Sequence, residues 1–543
     1  MAVQRIMGIE TEYGVLAKGN PWANPMLMSA QVVQAYKEIL VSGNQIRWDY
    51  KYEDPLLDAR GFRIQRAAAH PSQLTDDPKL LAPSGDEPKV KNLEFLTVER
   101  PVNQGYEDPG ASNVISPNGA RFYVDHAHPE YSSPEVLNPL DVVTWDEAGD
   151  LIALNAARYV QRKENYELRL YKNNTDGKGA SYGSHENYLV ARDVPFQDII
   201  KVLMPFFVTR NIFCGSGRVG LNQDSSDAGF QISQRADFIE AEVGLETTLR
   251  RPIINTRDEP HSDSARWRRL HVIVGDANRF QVSTYLKFGV TSLMLWALEN
   301  RDNIPNFEQF FSGLELKDPV NDFRLVSRDL SLQEKLFLTN GNALSALDIQ
   351  FEYLAFIQAA LLKNDVSDAT TWAVVNKWEQ VLKGLAAGPL EYCYRTVEWV
   401  AKLRILQGLK TKHGLDWSAA KLKMLDLQWA DIDPAVSIFS RLLDKGQVER
   451  LVEAEAVSQA TKLPPKETRA YFRGRSIDKF FNNIAFASWD AVVFDVPGDE
   501  SLRKISIPNP YSANAQEVGQ HLEKAKDVKE FLTLLGEVDG GYS

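Results

Sequence analysis

Cysteine is scarce in this chain of 543 residues, which contains only Cys214 and Cys393. Two thiols so far apart in the sequence make no disulfide framework, and such a composition is typical of a reducing compartment. Basic residues are also in the minority, with 61 Lys and Arg against 73 Asp and Glu, and the net charge is -12. Because nucleic-acid-binding proteins usually carry a basic footprint, we expect no nucleic acid partner.

Long apolar runs are missing as well. The run VTSLMLWALE at 290–299 is among the longest, and it is far short of the ~20 residues that a membrane-spanning helix needs. The start, MAVQRIMGIETEYG, lacks the apolar run behind a basic head that marks a secretory signal peptide. Apolar residues still make up 44% of the chain, enough for a large core. We therefore expect a cytoplasmic globular protein of two to four domains with no membrane contact.

The first half of the chain alternates strand-like and helix-like patterns. We predict strands over 6–16, 120–126, 166–173, 184–192, 229–234 and 268–276, and helices near 29–41, 141–163 and 196–210. From about 282 to 460 the pattern is helical, with single helices predicted over 344–363 and 390–409. The last segment combines a strand over 488–496 with a helix near 514–536. No internal repeat is visible at any period.

The segment between Tyr50 and Asn118 is rich in Pro, Asp, Lys and Gly and shows no sustained periodicity. Loops longer than about 12–15 residues are uncommon in compact domains and are usually functional or disordered. This segment leads directly into the strand that carries Asp125. A lid or regulatory loop and an inert insertion are both consistent with it.

Polar side chains with catalytic potential alternate along the strand ARFYVDH. Since successive side chains of a strand point to opposite faces, Arg121, Tyr123 and Asp125 share one face, and Phe122 and Val124 share the other. We expect the apolar pair to face a layer of helices and the polar trio to face the ligand. Glu130 follows after Pro129, on the returning turn.

Three other strands repeat this arrangement with carboxylates and imidazoles. Glu10 and Glu12 share a face of the first strand. His185 shares a face with Asn187, and His271 shares a face with Arg269. Carboxylates with borderline imidazole ligands on neighbouring strands favour a hard cation such as Mg²⁺. The alternative for each residue is a solvated strand face or a histidine that is satisfied by ordinary hydrogen bonds.

Arginines cluster near the same strands, at positions 250, 251, 257, 266, 268 and 269. A planar guanidinium suits bidentate contact with phosphate or carboxylate, so the cluster indicates an anionic ligand. Pairing with the nearby Asp258, Glu259 and Asp263 is the alternative.

The glycines of CGSGRVG have dinucleotide-fingerprint spacing, at Gly215, Gly217 and Gly220. That fingerprint requires a preceding strand and a following helix, whereas here a helix-like segment precedes and a turn-rich segment follows. We therefore predict no Rossmann site. The chain also has no P-loop motif and no C-x-x-C metal motif.

Four stretches together resemble one known family. They are GIETEYG (8–14), NGARFYVDHAHPEYSSPE (118–135), YKNNTDGKGASYGSHENYLV (171–190) and RPIINTRDEPHSDSARWRRLHVIVGDAN (251–278). With SWD at 488–490, they are similar to the depupylase and Pup-ligase family of actinobacteria, which is related to glutamine synthetase and glutamate–cysteine ligase. The resemblance implies an α+β fold with a curved antiparallel sheet backed by helices. It also implies a catalytic domain over 1–470 with a long insertion over 63–113, and a small C-terminal domain over 471–543.

The family has two branches, and this sequence resembles the hydrolytic one. DHAHPEYSS lacks one residue of the DVGSHPEYAT pattern typical of the ligase. The Trp48-Asp49-Tyr50 and DARGF (58–62) segments and the long insertion also resemble the hydrolytic branch, although the insertion is longer here. The resemblance implies hydrolysis of the isopeptide bond between the C-terminal glutamate of Pup and substrate lysines. It further implies deamidation of a C-terminal glutamine of Pup, with pupylated proteins and the bacterial proteasome system as functional partners.

The resemblance also implies site residues and cofactors. Asp125 is expected to be catalytic, with bound ATP and Mg²⁺. The expected metal residues are Glu10, Tyr123 and Glu130 at one Mg²⁺ position, with His185 and His271 at further metal or phosphate positions. Arg121, Ser133 and Trp489 are expected to contact ATP. The alternatives are a Pup–protein ligase, a small-molecule carboxylate–amine ligase and a non-catalytic nucleotide-binding adaptor.

Overall fold

A computed structural model describes residues 1–40, 46–50, 53–66, 69, 92–100, 112–164 and 166–539. The strands of this described part, β1 to β21 in chain order, are Met7–Glu12, Gly14–Ala17, Arg47–Trp48, Leu57–Asp58, Phe62–Arg63, Glu94–Val98, Asn113–Ile115, Arg121–Asp125, His128–Ser132, Leu168–Tyr171, Ser184–Ala191, Arg218–Leu221, Asp227–Gln231, Ile239–Gly244, Arg251–Asn255, Trp267–Val272, Lys335–Phe337, Ala343–Ser345, Ile484–Ala487, Ala491–Phe494 and Leu502–Ser506.

Its α-helices, α1 to α17, are Pro25–Ile39, Pro139–Glu164, Phe196–Thr209, Asn211–Cys214, Gln281–Glu299, Phe307–Ser312, Pro319–Arg328, Ala346–Lys363, Ala369–Ala387, Pro389–Tyr392, Glu398–His413, Ala420–Ala430, Ile438–Asp444, Ala454–Ala460, Ala470–Phe480, Ala515–Lys524 and Val528–Asp539. None of these helices is long and apolar enough to cross a membrane.

The main sheet has six strands in the order β16-β11-β1-β9-β8-β7, and every neighbouring pair is antiparallel. One face is apolar and packs on helices, as the alternation of the sequence predicts. Phe122 is fully buried, and its ring meets Tyr36 of α1 edge-on with centroids 5.7 Å apart. Leu270 and Val272 of β16 lie in the large helical core. The α+β class with an antiparallel sheet backed by helices is confirmed.

A second sheet has five strands in the order β3-β19-β20-β21-β6. Its three central strands come from the C-terminal part of the chain, but both outer strands come from the first hundred residues. Arg47–Trp48 pairs in parallel with β19, and Glu94–Val98 pairs antiparallel with Leu502–Ser506. The apolar residues of this sheet form a core of their own with α15, α16 and α17.

The predicted insertion over 63–113 therefore contributes a strand to the C-terminal sheet. Residues 67–68, 70–91 and 101–111 lie outside the described residues. The choice between a lid or regulatory loop and an inert insertion therefore stays open for this part of the segment. The short β6 carries two exposed apolar residues, Phe95 and Leu96, and no long periodic pattern marks it in the sequence. The boundary between domains at residue 470 stays a prediction.

Two long helical predictions were wrong because each segment forms two helices. The segment 390–409 divides between α10 and α11, with Val397 in the extended conformation (φ -112°, ψ 120°). Thr396 and Val397 are β-branched, and such residues favour extended backbone over helix. The segment 514–536 divides between α16 and α17, with Ala525 extended (φ -61°, ψ 130°). The glycine-rich CGSGRVG lies between helix α4 and strand β12, the reverse of the dinucleotide-binding order, as expected.

Candidate active site

Strand β1 is an inner strand of the main sheet, between β11 and β9. Its polar face carries two carboxylates, Glu10 and Glu12. Glu10 lies opposite His185 of β11, and Glu12 lies opposite Glu130 of β9. Because residues that face each other across a ladder are about 5 Å apart, this register assembles two separate clusters of potential ligands.

The first cluster consists of Glu10, His185 and His271, whose potential ligand atoms all lie within 4.8 Å of one another. Nδ1 of His185 lies 3.2 Å from Oε2 of Glu10. Asn187 bridges the cluster, since its Nδ2 donates to Glu10 Oε1 at 3.0 Å and its Oδ1 lies 3.0 Å from Nδ1 of His271. Arg269 completes the row, donating to the same Asn187 oxygen at 3.0 Å.

The electrostatics of this cluster suit a cation. Burial raises the pKa of Glu10, but the hydrogen bond from His185 and the neighbouring positive charge, that of Arg269 included, outweigh it, so the carboxyl pKa lies well below its usual range. Burial and the charge of Arg269 hold the pKa of His271 well below 6.5. The neutral imidazole that results is the form that binds metal ions.

The second cluster consists of Glu12, Asp125 and Glu130, with potential ligand atoms again within 4.8 Å of one another. Glu12 Oε1 accepts from the Gly183 N–H at 2.8 Å, and its Oε2 lies 3.3 Å from Nδ1 of His128. Burial raises the pKa of Glu12, but the hydrogen bond and charge of His128 outweigh it and lower the value to about 2.

The carboxyl pKa of Glu130 shifts in the opposite direction to that of Glu12. It is 2% exposed, and burial together with the charges of Asp125, Glu10 and Glu12 raises its carboxyl pKa well above 4.5. Three carboxylates in a buried site repel one another unless a proton or a cation lies between them. The second cluster therefore fits a divalent cation, for which carboxylate oxygens are the preferred ligands.

Asp125 ends β8 at the rim of the second cluster, and its side chain is 32% exposed. The hairpin between β8 and β9 is short, because Asp125 pairs with His128 and only two residues intervene. His126 takes a left-handed conformation (φ 53°), and its Nδ1 lies 3.0 Å from Asp125 Oδ2. That hydrogen bond raises the pKa of His126. Asp125 is thus both held in place and open to a ligand.

A pocket adjoins the first cluster at the junction with the C-terminal sheet. Its lining includes Gly8, Glu10, Ser133, Arg269 and Trp489. The Ser133 hydroxyl accepts from the Ile9 N–H at 3.0 Å and donates to the Pro134 carbonyl at 3.1 Å, so it already has two partners.

Arg121 lies beside this pocket rather than in its lining. Its guanidinium carbon is 4.1 Å from the ring centroid of Trp48 and 3.9 Å from that of Tyr123. Trp48 in turn meets Trp489 edge-on at 5.2 Å. Arg121 therefore extends a row of aromatic rings that ends at the pocket.

The C-terminal layer is fixed to the site by Glu135, which follows β9. Its carboxylate accepts from Arg469 Nε at 2.9 Å and from Arg473 Nη2 at 2.5 Å. Burial raises the pKa of Glu135, but the two arginines outweigh it and lower the value to about 2. Arg473 also donates to the Trp489 carbonyl at 2.7 Å. These buried contacts hold Trp489 over the pocket.

The structure groups the predicted site residues differently from the expectation. Glu10 lies with the two histidines, while Glu130 lies with Asp125 and with Glu12, which the resemblance had not assigned a role. Tyr123 lies opposite Glu130 of the second cluster, and its side chain hydrogen-bonds to that carboxyl group. The shared face of Glu10 and Glu12 was visible in the sequence, but the pairing of Glu12 with Glu130 depends on long-range strand register.

Two members of the arginine cluster, Arg257 and Arg269, pair with an acidic residue. Arg257 and Arg269 both reach Glu259, the latter at 3.5 Å. Asp258 pairs instead with Arg192, at 2.5 Å. Arg251 differs, since it donates hydrogen bonds to the backbone carbonyls of Thr247 and Ser181, each at 2.9 Å.

Known proteins support the interpretation of this geometry. The model of the family described as Pup-ligase protein matches residues 5–493. A depupylase of Acidothermus cellulolyticus is 47% identical over 98% of this chain and 99% of its own length. A Pup deamidase/depupylase of Mycolicibacterium smegmatis is 44% identical over 98% of this chain and its full length.

Solved structures agree with the sequences. The ligase PafA in complex with Pup has a TM-score of 0.74 and 29% identity, covering this entire chain and 96% of that one. The ligase PafA in complex with ADP has a TM-score of 0.68 and 34% identity, covering 76% of this chain and 90% of that one. With two clusters of ligands on a shared sheet and a family match over most of its length, the chain belongs to the Pup-ligase protein family.

Proposed function

We propose that this protein is a depupylase, which hydrolyses the isopeptide bond between the C-terminal glutamate of Pup and substrate lysines. The same site would deamidate a C-terminal glutamine of Pup, since both reactions cleave an amide at the same γ-carbonyl. The observation that carries the proposal is the near-complete match to proteins named depupylase and Pup deamidase/depupylase, at 47% and 44% identity.

The donor set supports Mg²⁺ and a nucleotide as cofactors. Glu12, Glu130 and Asp125 would hold one cation, and Glu10 with the two histidines would hold another or a phosphate-bound ion. The pocket under Trp489 would take ATP, with Ser133 in its lining and Arg121 at its edge; the ADP complex of the related ligase supports a nucleotide there. When bound, Mg²⁺ neutralises phosphate charge and stabilises negative charge on reacting oxygens.

The residues of the chain then meet the demands of amide hydrolysis. Amides are poor electrophiles, so the site must present a nucleophile and stabilise developing charge. Asp125 is the exposed carboxylate of the second cluster, and it would attack the carbonyl directly or remove a proton from water. His126 holds that carboxylate through its 3.0 Å contact. Tyr123 lies against Glu130 and supports its orientation.

The direct test is incubation of the purified protein with a purified Pup conjugate, with and without ATP and Mg²⁺. We expect release of free Pup and of the unmodified protein, only when nucleotide and Mg²⁺ are present. A ligase would instead form conjugates from Pup ending in glutamate, ATP and a lysine-containing protein. A small-molecule ligase would consume ATP with free glutamate and an amine, and an adaptor would do none of these. Any of these three results would contradict the proposal.

A further inference from the structure

The rear face of β1 packs Met7 and Ile9 into the helical core, but Thr11 on the same face and Tyr13 just after the strand carry hydroxyl groups. Thr11 and Tyr13 are both fully buried. The Thr11 hydroxyl donates to Asp146 Oδ1 at 3.3 Å, and the Tyr13 hydroxyl donates to Asp150 Oδ1 at 2.8 Å. The segment that presents two candidate ligand carboxylates on its front is therefore tied to helix α2 from behind.

The two acceptors on α2 belong to a buried ionic network. Asp146 and Asp150 are four residues apart and so lie on one face of the helix. Lys172 Nζ lies 2.8 Å from Asp146 Oδ1 and 3.1 Å from Asp150 Oδ1, and Arg279 Nη1 lies 3.0 Å from Asp150 Oδ2. Lys172 is 2% exposed and Asp146 is 3% exposed.

Such a network is a poor source of stability. Removing charges from water costs several kcal/mol for each ion, and well-packed apolar residues of similar volume often stabilise a fold as well or better. Its best-attested use is to specify one arrangement of the elements that it joins. Here the elements are α2, the segment after β10 and the central strand of the main sheet.

The network also reaches the front of the sheet along the chain. Asn173 follows Lys172, and its side-chain oxygen accepts a hydrogen bond from the Tyr182 hydroxyl. The Tyr182 ring stacks on His128 with centroids 4.4 Å apart. His128 in turn contacts Glu12. Glu12 is thus linked to the network in two ways. One link runs through Thr11 of its own strand, and the other runs through His128 and Tyr182.

We propose that Thr11, Asp146 and Lys172 are positioning residues for the metal-binding carboxylates of β1. They fix the lateral position of the strand, and with it the separation between the first and second ligand clusters. The inference rests on the proposed function only in that both require a cation at these clusters. It assigns a role to three residues that contact neither cation nor substrate.

The test measures cation binding directly, without turnover. Mn²⁺ is titrated into the nucleotide-free protein and followed by electron paramagnetic resonance of the free ion, for wild type, Thr11→Val, Thr11→Ser and Asp146→Asn. Thr11→Val keeps the volume of the side chain but removes the donor, and Asp146→Asn keeps an acceptor but removes the charge that pairs with Lys172. Loss of a group that is hydrogen-bonded directly to a metal ligand costs about 10- to 100-fold in metal affinity, and Thr11 and Asp146 act one step further from the ligands. We therefore expect a loss of at least about 5-fold for Thr11→Val and Asp146→Asn, and near wild-type affinity for Thr11→Ser.

Matched controls lie on the same helix. The Thr144 hydroxyl donates to the Leu140 carbonyl at 3.0 Å within α2, and Asp141 pairs locally with Asn138. Thr144→Val and Asp141→Asn should therefore leave Mn²⁺ affinity within about 2-fold of wild type, even if they lower the melting temperature.

The outcomes separate this inference from the proposed function. If folded Thr11→Val and Asp146→Asn bind Mn²⁺ as wild type does, the network is merely structural and the inference fails. Equal losses in the two control variants would also overturn it, because the effect would then follow stability. If wild type binds Mn²⁺, the variants lose affinity, and yet no conjugate is cleaved, the inference holds and the depupylase assignment fails. Absence of Mn²⁺ binding by wild type overturns the inference whatever the cleavage assay gives.

Discussion

Glu12 and Glu130 lie opposite each other across the β1–β9 pair, yet their carboxyl pKa values shift in opposite directions. Both groups are buried, and burial raises both values. Glu12 has His128 as a partner, whereas Glu130 has the charges of Asp125, Glu10 and Glu12 around it. One carboxylate is therefore satisfied without a cation, and the other needs a proton or a metal ion.

The first prediction follows from this asymmetry. Without metal, Glu130→Gln should stabilise the protein at neutral pH, because folding raises the pKa of this buried, crowded carboxyl and a neutral amide avoids that cost. Because the folded-state pKa of Glu130 is raised, the stability gained by the variant should be absent below the unfolded-state pKa and should grow as pH rises towards the folded-state value. Thermal melting in EDTA measures the effect. With Mg²⁺ the order should reverse, since the variant lacks a ligand; a variant that is destabilised in EDTA would contradict the crowding argument.

The second prediction concerns Asp125. Asp125→Asn should lower the rate of conjugate cleavage by at least about 10³-fold while nucleotide binding changes little, because the amide keeps the volume but removes the attacking or proton-accepting charge. Single-turnover cleavage on gels measures the rate, and titration of a fluorescent ATP analogue measures binding. Cleavage at near wild-type rate would remove Asp125 from the chemistry. His126→Gln alters the contact that holds Asp125, and it should lower the cleavage rate by less than Asp125→Asn does.

The third prediction concerns attachment of the C-terminal layer. Arg473→Ala should cost about 1.5–3 kcal/mol of stability, because the buried Glu135 keeps Arg469 as a partner but loses its hydrogen bonds from Arg473. Arg475→Ala on the same helix removes the half-exposed pair with Asp478 and should cost less than about 1 kcal/mol. Urea unfolding of both variants checks the difference. Similar losses of unfolding free energy in the two variants would contradict the argument that a buried ion pair contributes more than an exposed one.

The fourth prediction concerns the strand at Glu94–Val98. Replacing residues 92–100 by a Gly/Ser linker of equal length should lower the melting temperature, because β21 loses one of its two ladder partners and Asp495 loses Arg100. The corresponding replacement of residues 70–91, which lie outside the described residues, should leave melting unchanged, since their sequence shows no periodicity that predicts a helix or a strand. If only the second variant changes conjugate cleavage, the segment 70–91 acts on turnover and not on the fold.

The local pattern of the sequence was sufficient to predict which side chains of a strand face the core and which face the site. Alternation placed Phe122 in the core and Tyr123 and Asp125 on the polar face, as the structure has them. It could not place Glu12 beside Glu130, because strand register between residues more than a hundred apart leaves no local signal. Nor could it assign Asp146 and Lys172, since buried charges on a helix and a loop look like solvated ones until their partners are known.

The two long helix predictions were wrong for a related reason. Apolar periodicity continues across 390–409, but Thr396 and Val397 interrupt the backbone without interrupting the pattern. Likewise, β6 is short and partly exposed, so its pairing with β21 depends on the C-terminal strands being in place. Apolar periodicity indicates which residues are buried. Where a helix ends within a buried segment depends on tertiary packing.

The five-stranded sheet also constrains how the chain is made. Its outer strands are synthesised within the first hundred residues, while the three strands between them are completed only at Leu502–Ser506. Loops of this length must close before the sheet forms, and such non-local pairing is slow. Trp489 and its neighbours consequently reach the pocket beside the first cluster only after nearly all of the chain has been synthesised. A chain whose synthesis stops before that point lacks Trp489 and, with it, one side of this pocket.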